Sequence, residues 1–471
     1  MRSKSWSPAV WPAVGSVFCV ISLSLSSANG LIELGVKGRG NATPTIAADG
    51  PFVAVTWGGT LPSGATDVFT AASRDGGRTF AAPVRVNSTE GDARLNGEQP
   101  PHVALVPRTG REPAIVVAWT TKGANGTKLL QSRSDDGGRT FAPSALVPGS
   151  DAAGNRGWEA IAVEPGGRVD AVWLDHRELA KDSTMATSHH DHTAGASTAP
   201  ARASADKPDG VAMAQQSKLF FASLDGRTAP HAVTGGVCYC CKTALASGAG
   251  GWIYAAWRHV YPGNLRDMAF TLSRDGGRTF APPVRVSEDQ WMLEGCPDDG
   301  PSMVVDAKKR IHIVWPTLIT EGTAEIAETA QKGGSSQRSS RSPRSNNSEP
   351  TIALFYAMSA DGKTFTARER IPTEGMPHHP RLAVGAGGSL TVAWDEAAGG
   401  SRRIAVGRGI ADDGGRPRFR REALATSGPA VYPALAVASD GVVVAWTSGA
   451  SSASVIQVAR LAGSRPAGTD R

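Results

Sequence analysis

The chain has 471 residues, of which 40% are hydrophobic, 20% charged and 6% aromatic, with 55 Gly and 31 Pro. This apolar content suffices for a globular core and is too high for a disordered chain, and Gly and Pro lack the three-residue period of collagen. The net charge of +6 comes from 49 basic and 43 acidic residues spread along the chain, which argues against a nucleic-acid-binding surface.

The N-terminus has the features of a secretory signal. Arg2 and Lys4 precede an uncharged, mostly apolar segment over 9–25, and small residues at 26–28 suit cleavage. We predict a signal peptide over 1–28 and a secreted or periplasmic protein, with a composition typical of bacteria. No stable membrane anchor is expected, because the apolar segment is short and Pro12 interrupts it.

A Ser-Arg-Asp-Gly-Gly-Arg-Thr-Phe motif repeats along the chain. Residues 73–80 and 273–280 are identical, 134–141 and 359–365 are close variants, and degenerate copies stand at 223–227 and 411–416. The aspartate of each copy is expected to accept hydrogen bonds from its own turn, while the glycines take positive φ. We therefore predict structural turns around Asp75, Asp136, Asp275 and Asp361.

A second motif, a β-branched strand ending in tryptophan, alternates with the first. Its seven tryptophans are Trp57, Trp119, Trp173, Trp257, Trp315, Trp394 and Trp446. Units of 40–60 residues with four short strands predict an all-β propeller over 29–463, with seven blades, or six if one unit is malformed. The last unit has room for three strands, so residues 31–37 are expected to supply its fourth. Low-complexity inserts lie near 178–217 and 318–350, and 464–471 is predicted to be a disordered tail.

The repeated turn resembles the Asp-box, or BNR repeat, of the sialidase superfamily. The resemblance implies an exo-sialidase-like site with three arginines for the substrate carboxylate, a tyrosine nucleophile activated by a glutamate, and an aspartic acid/base. Residues 428–435 resemble the segment that holds the nucleophile, which implies this role for Tyr432. Arg258 resembles the second arginine, and Arg402 or Arg403 the third.

This chain departs from the family pattern at catalytic positions. Ala42-Thr43-Pro44 stands where the family has Arg-Ile-Pro, and Tyr239-Cys240-Cys241-Lys242 stands where the activating glutamate is expected. The resemblance therefore implies a divergent member and leaves open whether it is an enzyme. Without that glutamate, the alternative for Tyr432 is a channel-lining residue.

Propeller topology predicts that the starts of the first strands and the loops after the second strands meet at one mouth of a central channel. We expect Arg258, His259, Arg381, Arg402 and Arg403 to bind an anionic ligand there. The same positions bring further candidates to the mouth: Glu98, Glu159, Lys242, Asp298, Asp299, His378, His379 and Asp395.

Four cysteines follow the signal segment. Cys238, Cys240, Cys241 and Cys296, with His378 and His379, make one candidate site for Cu or Zn. The alternative, which the exported compartment favours, is two disulfides, with the vicinal pair Cys240 and Cys241 as one candidate for a bridge. No cofactor is required on that alternative.

Three functions remain open from the sequence. The first is a sialidase-like propeller that binds or hydrolyses sialic-acid-type or other anionic glycans. The second is a thiolate/histidine metal or redox protein centred on the cysteines, and the third is a non-catalytic binding scaffold. We predict a monomer with a glycan or other anionic small molecule as its ligand and no nucleic-acid partner.

Overall fold

The structure is a ring of seven four-stranded antiparallel sheets. The computed structural model describes residues 30–179, 210–293, 297–319, 350–411, 416–424, 426 and 428–462. Six sheets follow chain order, and the seventh takes its outermost strand from the N-terminus. The predicted seven-bladed propeller is therefore confirmed, and the six-bladed alternative is wrong.

The blades are numbered in chain order after a short N-terminal strand. That strand is β1 (Ile32–Leu34), and blades 1 and 2 contain β2 (Gly40–Asp49), β3 (Phe52–Thr60), β4 (Thr66–Ser73), β5 (Val84–Arg85), β6 (His102–Arg108), β7 (Arg111–Gly123), β8 (Gly126–Ser134) and β9 (Ala145–Leu146). Blades 3 and 4 contain β10 (Arg156–Val163), β11 (Val169–Asp175), β12 (Lys218–Ser223), β13 (His231–Gly235), β14 (Ala244–Gly248), β15 (Trp252–Tyr261), β16 (Leu265–Ser273) and β17 (Val284–Arg285). Blades 5, 6 and 7 contain β18 (Ser302–Val305), β19 (Ile311–Ile319), β20 (Thr351–Ser359), β21 (Glu369–Ile371), β22 (Met376–Val384), β23 (Leu390–Ala398), β24 (Ser401–Ala411), β25 (Pro417–Ala423), β26 (Ala430–Ala438), β27 (Gly441–Ser448) and β28 (Val455–Ala462).

The N-terminal strand closes the ring. In β1, Ile32 pairs with Val458 and Leu34 with Ile456 of β28, so the two ends of the chain share blade 7. The first strands of neighbouring blades contact one another all the way round, from β2 through β26 and back to β2. These seven strands form the wall of the central channel.

The second strand of each blade places its tryptophan between blades. All seven of these tryptophans are at most 1% exposed. Trp119, for example, packs with Phe52 and Val68 of the preceding blade. Burial of aromatic side chains between neighbouring sheets supplies the apolar core, so the core is divided into separate inter-blade layers.

The repeated Asp turns lie between the third and fourth strands, at the end of each blade opposite the channel mouth. In one copy, Ser273 Oγ donates to Asp275 Oδ1 at 2.7 Å, and the Thr279 amide and hydroxyl donate to the same carboxylate at 3.0 and 2.6 Å. These bonds, led by the Thr279 hydroxyl, lower the pKa of Asp275 well below its usual range. The carboxylates of Asp75, Asp136 and Asp361 accept the same set of bonds, with longer ones from the Thr364 hydroxyl to Asp361.

The first strands begin with a bulge at the channel mouth. Thr43, Trp158, His379 and Tyr432 occupy equivalent positions in four blades, each with φ between 50 and 56°, and each lies within a register shift between the first and second strands. Positive φ is uncommon for non-glycine residues, and such strain clusters at functional sites.

The insert that begins near 178 contains a helix that the sequence did not predict. Helix α1 (Gly210–Gln216) precedes β12 and contacts β13 and β15. No helix in the described part of the chain has the length and hydropathy needed to cross a bilayer. The predicted signal peptide, most of both inserts, the degenerate turn after 411, the C-terminal tail and Cys296 lie outside the described residues.

One amide side chain holds the closing segment to its neighbours. Asn41 Oδ1 accepts hydrogen bonds from the Trp57 indole and the Val36 amide, both at 2.9 Å. Its Nδ2 donates to the carbonyls of Arg39 and Ser454 at 2.9 and 3.2 Å. Asn41 therefore joins blade 1, the N-terminal segment and the loop before β28.

We predict that Asn41→Ala lowers the free energy of unfolding by about 2–4 kcal/mol, because it leaves buried donors without acceptors. Denaturant unfolding of the purified protein measures the change. The exposed Asn125 gives a matched control, since surface substitutions usually change stability by less than about 0.5 kcal/mol. Equal stability of the two variants would contradict the role assigned to Asn41.

Candidate active site

The channel mouth is lined by polar residues from blades 2, 4, 5, 6 and 7. Asp395 at the end of the blade 6 tryptophan strand is buried and accepts a hydrogen bond from His379 Nδ1 at 2.8 Å. The Tyr432 amide donates to the same oxygen at 3.2 Å, and Arg402 pairs with the second oxygen. Asp395 thereby positions both bulge residues, whose rings lie 4.6 Å apart.

His379 carries its charge into this cluster. Burial opposes protonation, but the negative charge of Asp395 and its hydrogen bond outweigh that effect and raise the pKa of His379. The same pairing holds the pKa of Asp395 below its usual range, against the effect of burial. The two groups therefore form an ion pair at the mouth.

A second buried carboxylate, Asp299, comes from the start of blade 5. His378 Nδ1 bonds to its Oδ2 at 2.8 Å, and the His379 amide donates to its Oδ1 at 3.0 Å. Burial disfavours the ionised form, but the bond and charge of His378 prevail and lower the pKa of Asp299. The two adjacent histidines thus bond to carboxylates of different blades.

A third pair links blades 2 and 4 to blade 5. Lys242 Nζ lies 2.9 Å from Glu98 Oε1, and both side chains are buried. Glu98 Oε2 accepts bonds from the amides of Lys242 and Gly300 at 2.8 and 2.9 Å. The carboxylate therefore has a complete set of partners.

Asp298 differs from these paired carboxylates. Its side chain is exposed to the channel, yet protein atoms on several sides restrict its hydration. This desolvation, followed by the negative charge of Glu98, raises the pKa of Asp298 to about 7. Asp298 and its neighbour Asp299 therefore occupy opposite protonation states near pH 6, the pattern of an acid beside a base.

Glu159 is also protonated near neutral pH, but it is enclosed between blades 2 and 3. Burial raises its pKa to about 7, and Thr120 Oγ1 donates to Oε2 at 3.1 Å. Its Oε1 has no partner among the described residues. The side chain is only 1% exposed, so it does not reach a ligand in the mouth.

Arg381 and His102 occupy equivalent positions in the wall below the mouth. Each follows a proline. Arg381 pairs with Ala393 and His102 with Ala118, and each alanine directly precedes the tryptophan of its blade. Burial, and then the charge of Arg381, lower the pKa of His102 to about 3, so its ring is neutral. His102 was not among the residues predicted from the sequence, although it follows a proline as Arg381 does, and this shared position is a signal that points to it.

Arg381 is a positively charged side chain near the mouth that has no ion-pair partner among the described residues. Its side chain is partly exposed, and within the described ranges it makes no ion pair or hydrogen bond. Burial lowers its pKa, since protein replaces most of the water around the guanidinium. A partly desolvated guanidinium without a carboxylate favours an anionic ligand.

The structure corrects the expectation for Arg258. Its guanidinium is buried and donates to the carbonyls of Arg266, Asp299 and Pro316 at 2.8–2.9 Å. It also stacks over Trp291 at 4.6 Å. Arg258 connects blades 4 and 5 through Nη1 and Nη2, while its Nε has no partner among the described residues.

His259 also lies away from the mouth cluster. The Trp257 indole donates to its Nδ1 at 3.3 Å, and the Tyr261 ring is 4.5 Å away. Burial lowers its pKa to about 4, so it is neutral and offers no charge to an anion. The predicted ligand contact of His259 therefore finds no support in this geometry.

Arg402 and Arg403 point to opposite faces of β24 because side chains alternate along a strand. Arg402 pairs with Asp395 at the mouth, whereas Arg403 pairs with Glu396 and Glu374 on the other face. Only Arg402 reaches the site, and Asp395 already neutralises it.

Tyr432 lies in the mouth, but its environment is the opposite of an activated nucleophile. Burial, and then the negative charge of Asp395, raise the pKa of its hydroxyl. Such a phenol stays protonated and acts as a hydrogen-bond donor or acid. The nucleophile role of Tyr432 stays a prediction.

Three cysteines form a separate cluster behind the wall. Cys238 Sγ lies 3.8 Å from the sulfurs of both Cys240 and Cys241. Cys240 is disulfide-bonded, with its partner outside the described residues, while Cys238 and Cys241 are free thiols. The predicted Cys240–Cys241 disulfide is therefore wrong.

The histidines predicted as ligands are not part of this cluster. Among the described residues, the potential ligand atoms that gather within 4.8 Å of one another are the three sulfurs alone. His378 and His379 are turned to Asp299 and Asp395 by the bulge at the start of β22.

Comparison with known proteins supports the fold. No protein-family model and no curated protein matches the chain. An ulvan lyase, described as a new family of polysaccharide lyase, shares 9% identity and a TM-score of 0.51, with 91% of this chain and 96% of that chain covered. The GH93 α-L-arabinofuranosidase of Fusarium graminearum shares 11% identity and a TM-score of 0.46, with 91% of this chain and 96% of that chain covered. A Hadza microbial sialidase shares 13% identity and a TM-score of 0.42, with 84% of this chain and 73% of that chain covered.

These neighbours are named as a polysaccharide lyase, a glycoside hydrolase and a sialidase. At these identities the comparison shows the fold alone, and of the three the ulvan lyase has a TM-score above 0.5. The chain's chemistry has to be argued from its own residues.

We predict that Asp298 makes the protein less stable as pH rises from about 4 to about 7. The native state holds a proton there that the unfolded state has lost, so its contribution is present below pH 4 and disappears by pH 7. Asp298→Asn should reduce this slope in denaturant unfolding and leave the part that Glu159 contributes, whereas the exposed Asp151→Asn should retain the whole slope. Identical slopes in all three proteins would show that Asp298 does not titrate in this range.

Proposed function

We propose that this protein is an exported glycan-cleaving propeller whose channel mouth binds an acidic sugar. The observation that carries the proposal is an unpaired, partly desolvated Arg381 in the channel wall, together with an acid–base pair of carboxyls at the mouth. The propeller fold shared with glycan-acting enzymes adds support from a second direction.

Charge balance favours an anionic ligand. The carboxylates of Glu98, Asp299 and Asp395 are each satisfied by cations or amides of the protein. Arg381 is left with a positive charge and without a bonded carboxylate in the described part of the chain. A sugar carboxylate would supply it with a bidentate, charge-assisted pair of hydrogen bonds.

Asp298 is the group best suited to protonate a leaving oxygen. With a pKa of about 7 it is largely protonated in mildly acidic solution, and its exposure to the channel allows contact with a ligand. General acids with raised pKa act in this way in glycoside hydrolysis. Tyr432 and the charged His379 would bind the sugar hydroxyls beside it.

A sialic acid is our first choice of acidic sugar. The resemblance of the turns and of residues 428–435 to sialidases favours it over a uronic acid. A uronate is the second candidate, since the same guanidinium would bind its carboxylate.

We predict turnover of a fluorogenic sialoside between pH 5 and 7. Asp298→Asn should lower kcat by about 100-fold or more, because it removes the proton donor. Arg381→Met should raise KM by about 10-fold or more, because it removes a charge-assisted contact. Steady-state kinetics measure both, with thermal unfolding as the check on folding.

Arg111→Met gives the matched control. This arginine is exposed at the opposite end of blade 2, so its kinetics should match the wild type. A uronate-containing polysaccharide and a neutral arabinan are assayed in parallel as alternative substrates. Turnover of the uronate alone would replace the sialic-acid assignment, and binding without turnover of any acidic glycan would make the protein a lectin-like scaffold. Unchanged kinetics of Arg381→Met would contradict the anion site.

A further inference from the structure

The cysteine cluster is a second site that the proposed glycan chemistry does not use. Residues 238–241 connect β13 to β14, and the Cys238 amide donates to the Arg258 carbonyl at 2.9 Å. The three sulfurs belong to residues that are at most 7% exposed. Ala214 of α1, Val260 and Trp158 pack around them and form an apolar shell.

Two buried arginines make this a place for negative charge. Arg266 is fully buried, and its Nη1 donates to Cys238 Sγ at 3.1 Å. Its Nη2 has no partner among the described residues. Arg258 lies nearby with carbonyl partners, and within the same residues neither guanidinium has a carboxylate ion pair. A buried charge requires a counter-charge, and Cys238 is the group in position to supply it.

The Cys238 sulfur faces one of these cations directly. Arg266 Nη1 donates to it at 3.1 Å, and Cys241 Sγ lies 3.8 Å from the same sulfur. Thiolate sulfur beside buried cations is a strong ligand for soft metal ions.

The sulfur spacing is that of ligands to one ion. With metal–sulfur bonds of about 2.3 Å, sulfurs 3.8 Å apart subtend an angle of roughly 110° at a shared metal. This angle fits three or four ligands and excludes a linear pair. The described residues provide three sulfurs and no histidine or carboxylate within 4.8 Å of them all. Sulfur is a soft ligand that selects Cu(I), and structural Zn²⁺ takes four ligands where the described residues provide three.

We infer that Cys238 and Cys241, joined by Cys240 once its disulfide is reduced, form a three-coordinate binding site for Cu(I). The reduction takes two electrons and two protons from a dithiol, which becomes a disulfide, and frees two thiols, that of Cys240 and that of its former partner. Cu(I) then binds the sulfurs of Cys238, Cys240 and Cys241 as thiolates, and the protons displaced from the thiols pass to solvent. Arg266 and Arg258 compensate the net negative charge, and the apolar shell keeps water from the ion.

The test is a titration of the full chain with Cu(I) alone, without oxygen, in competition with a chromogenic Cu(I) chelator. After reduction with dithiothreitol and desalting, we expect one Cu(I) per chain to be withheld from the chelator. Cys238→Ser and Cys241→Ser should each weaken binding by at least 100-fold. The unreduced protein should bind at least 10-fold more weakly and recover on reduction.

A variant with glutamine at His189, His190 and His192 is the matched control for adventitious copper binding and should equal the wild type. Bound Cu(I) should protect Cys238 and Cys241 from alkylation. This protection is measured by peptide mass in the wild type, so the test does not depend on how the serine variants fold. Failure of the wild type to retain Cu(I), wild-type affinity in Cys238→Ser, absence of protection, or preferential binding of Zn²⁺ would each overturn the proposal.

Discussion

Closure of the ring is the constraint on which the rest of this structure depends. A propeller blade leaves an unpaired edge and an exposed apolar face unless both of its neighbours are present. The pairing of β1 with β28 makes blade 7 complete, and the Asn41 side chain joins this seam to the first blade. Because the seven first strands then contact one another in a ring, their starting residues are held around one opening. The site is therefore a product of closure and belongs to no single blade.

The opening acquires its chemistry from the bulges that start several of these strands. A bulge with one left-handed residue turns a side chain out of the sheet, as at His379 and Tyr432. It also frees the backbone amides of these two residues, which donate hydrogen bonds to the carboxylates of Asp299 and Asp395. Strain in these turns is compensated by those bonds to buried carboxylates. Each carboxylate thus joins one blade to the next, and Asp395 also raises the pKa of His379.

The fold was predictable from the sequence because its signals repeat. The seven tryptophan strands and the Asp turns recur at similar spacing, and the shortage of one strand in the last unit indicated closure by the N-terminus. The site was predictable only in part, because repeats locate the mouth but not the direction of each side chain. Arg402 and Arg403 illustrate this point, since one register step puts them on opposite faces of β24. Arg258 stands at the expected place in the chain, yet its Nη1 and Nη2 donate to three backbone carbonyls.

The two proposed sites share one stretch of chain. Residues 238–242 present sulfurs to the apolar side of the wall and the Lys242 ammonium to Glu98 at the mouth. Glu98 in turn accepts the Gly300 amide, next to the carboxyls of Asp298 and Asp299. A change in the charge of the thiol cluster therefore lies within a few bonded contacts of the acid–base pair. Asp299 joins the same two sites by a second route. Its carbonyl accepts a hydrogen bond from Arg258, and its carboxylate accepts one from His378. Both routes run through buried hydrogen bonds, so a change of charge at the proposed thiol site would reach the mouth through them.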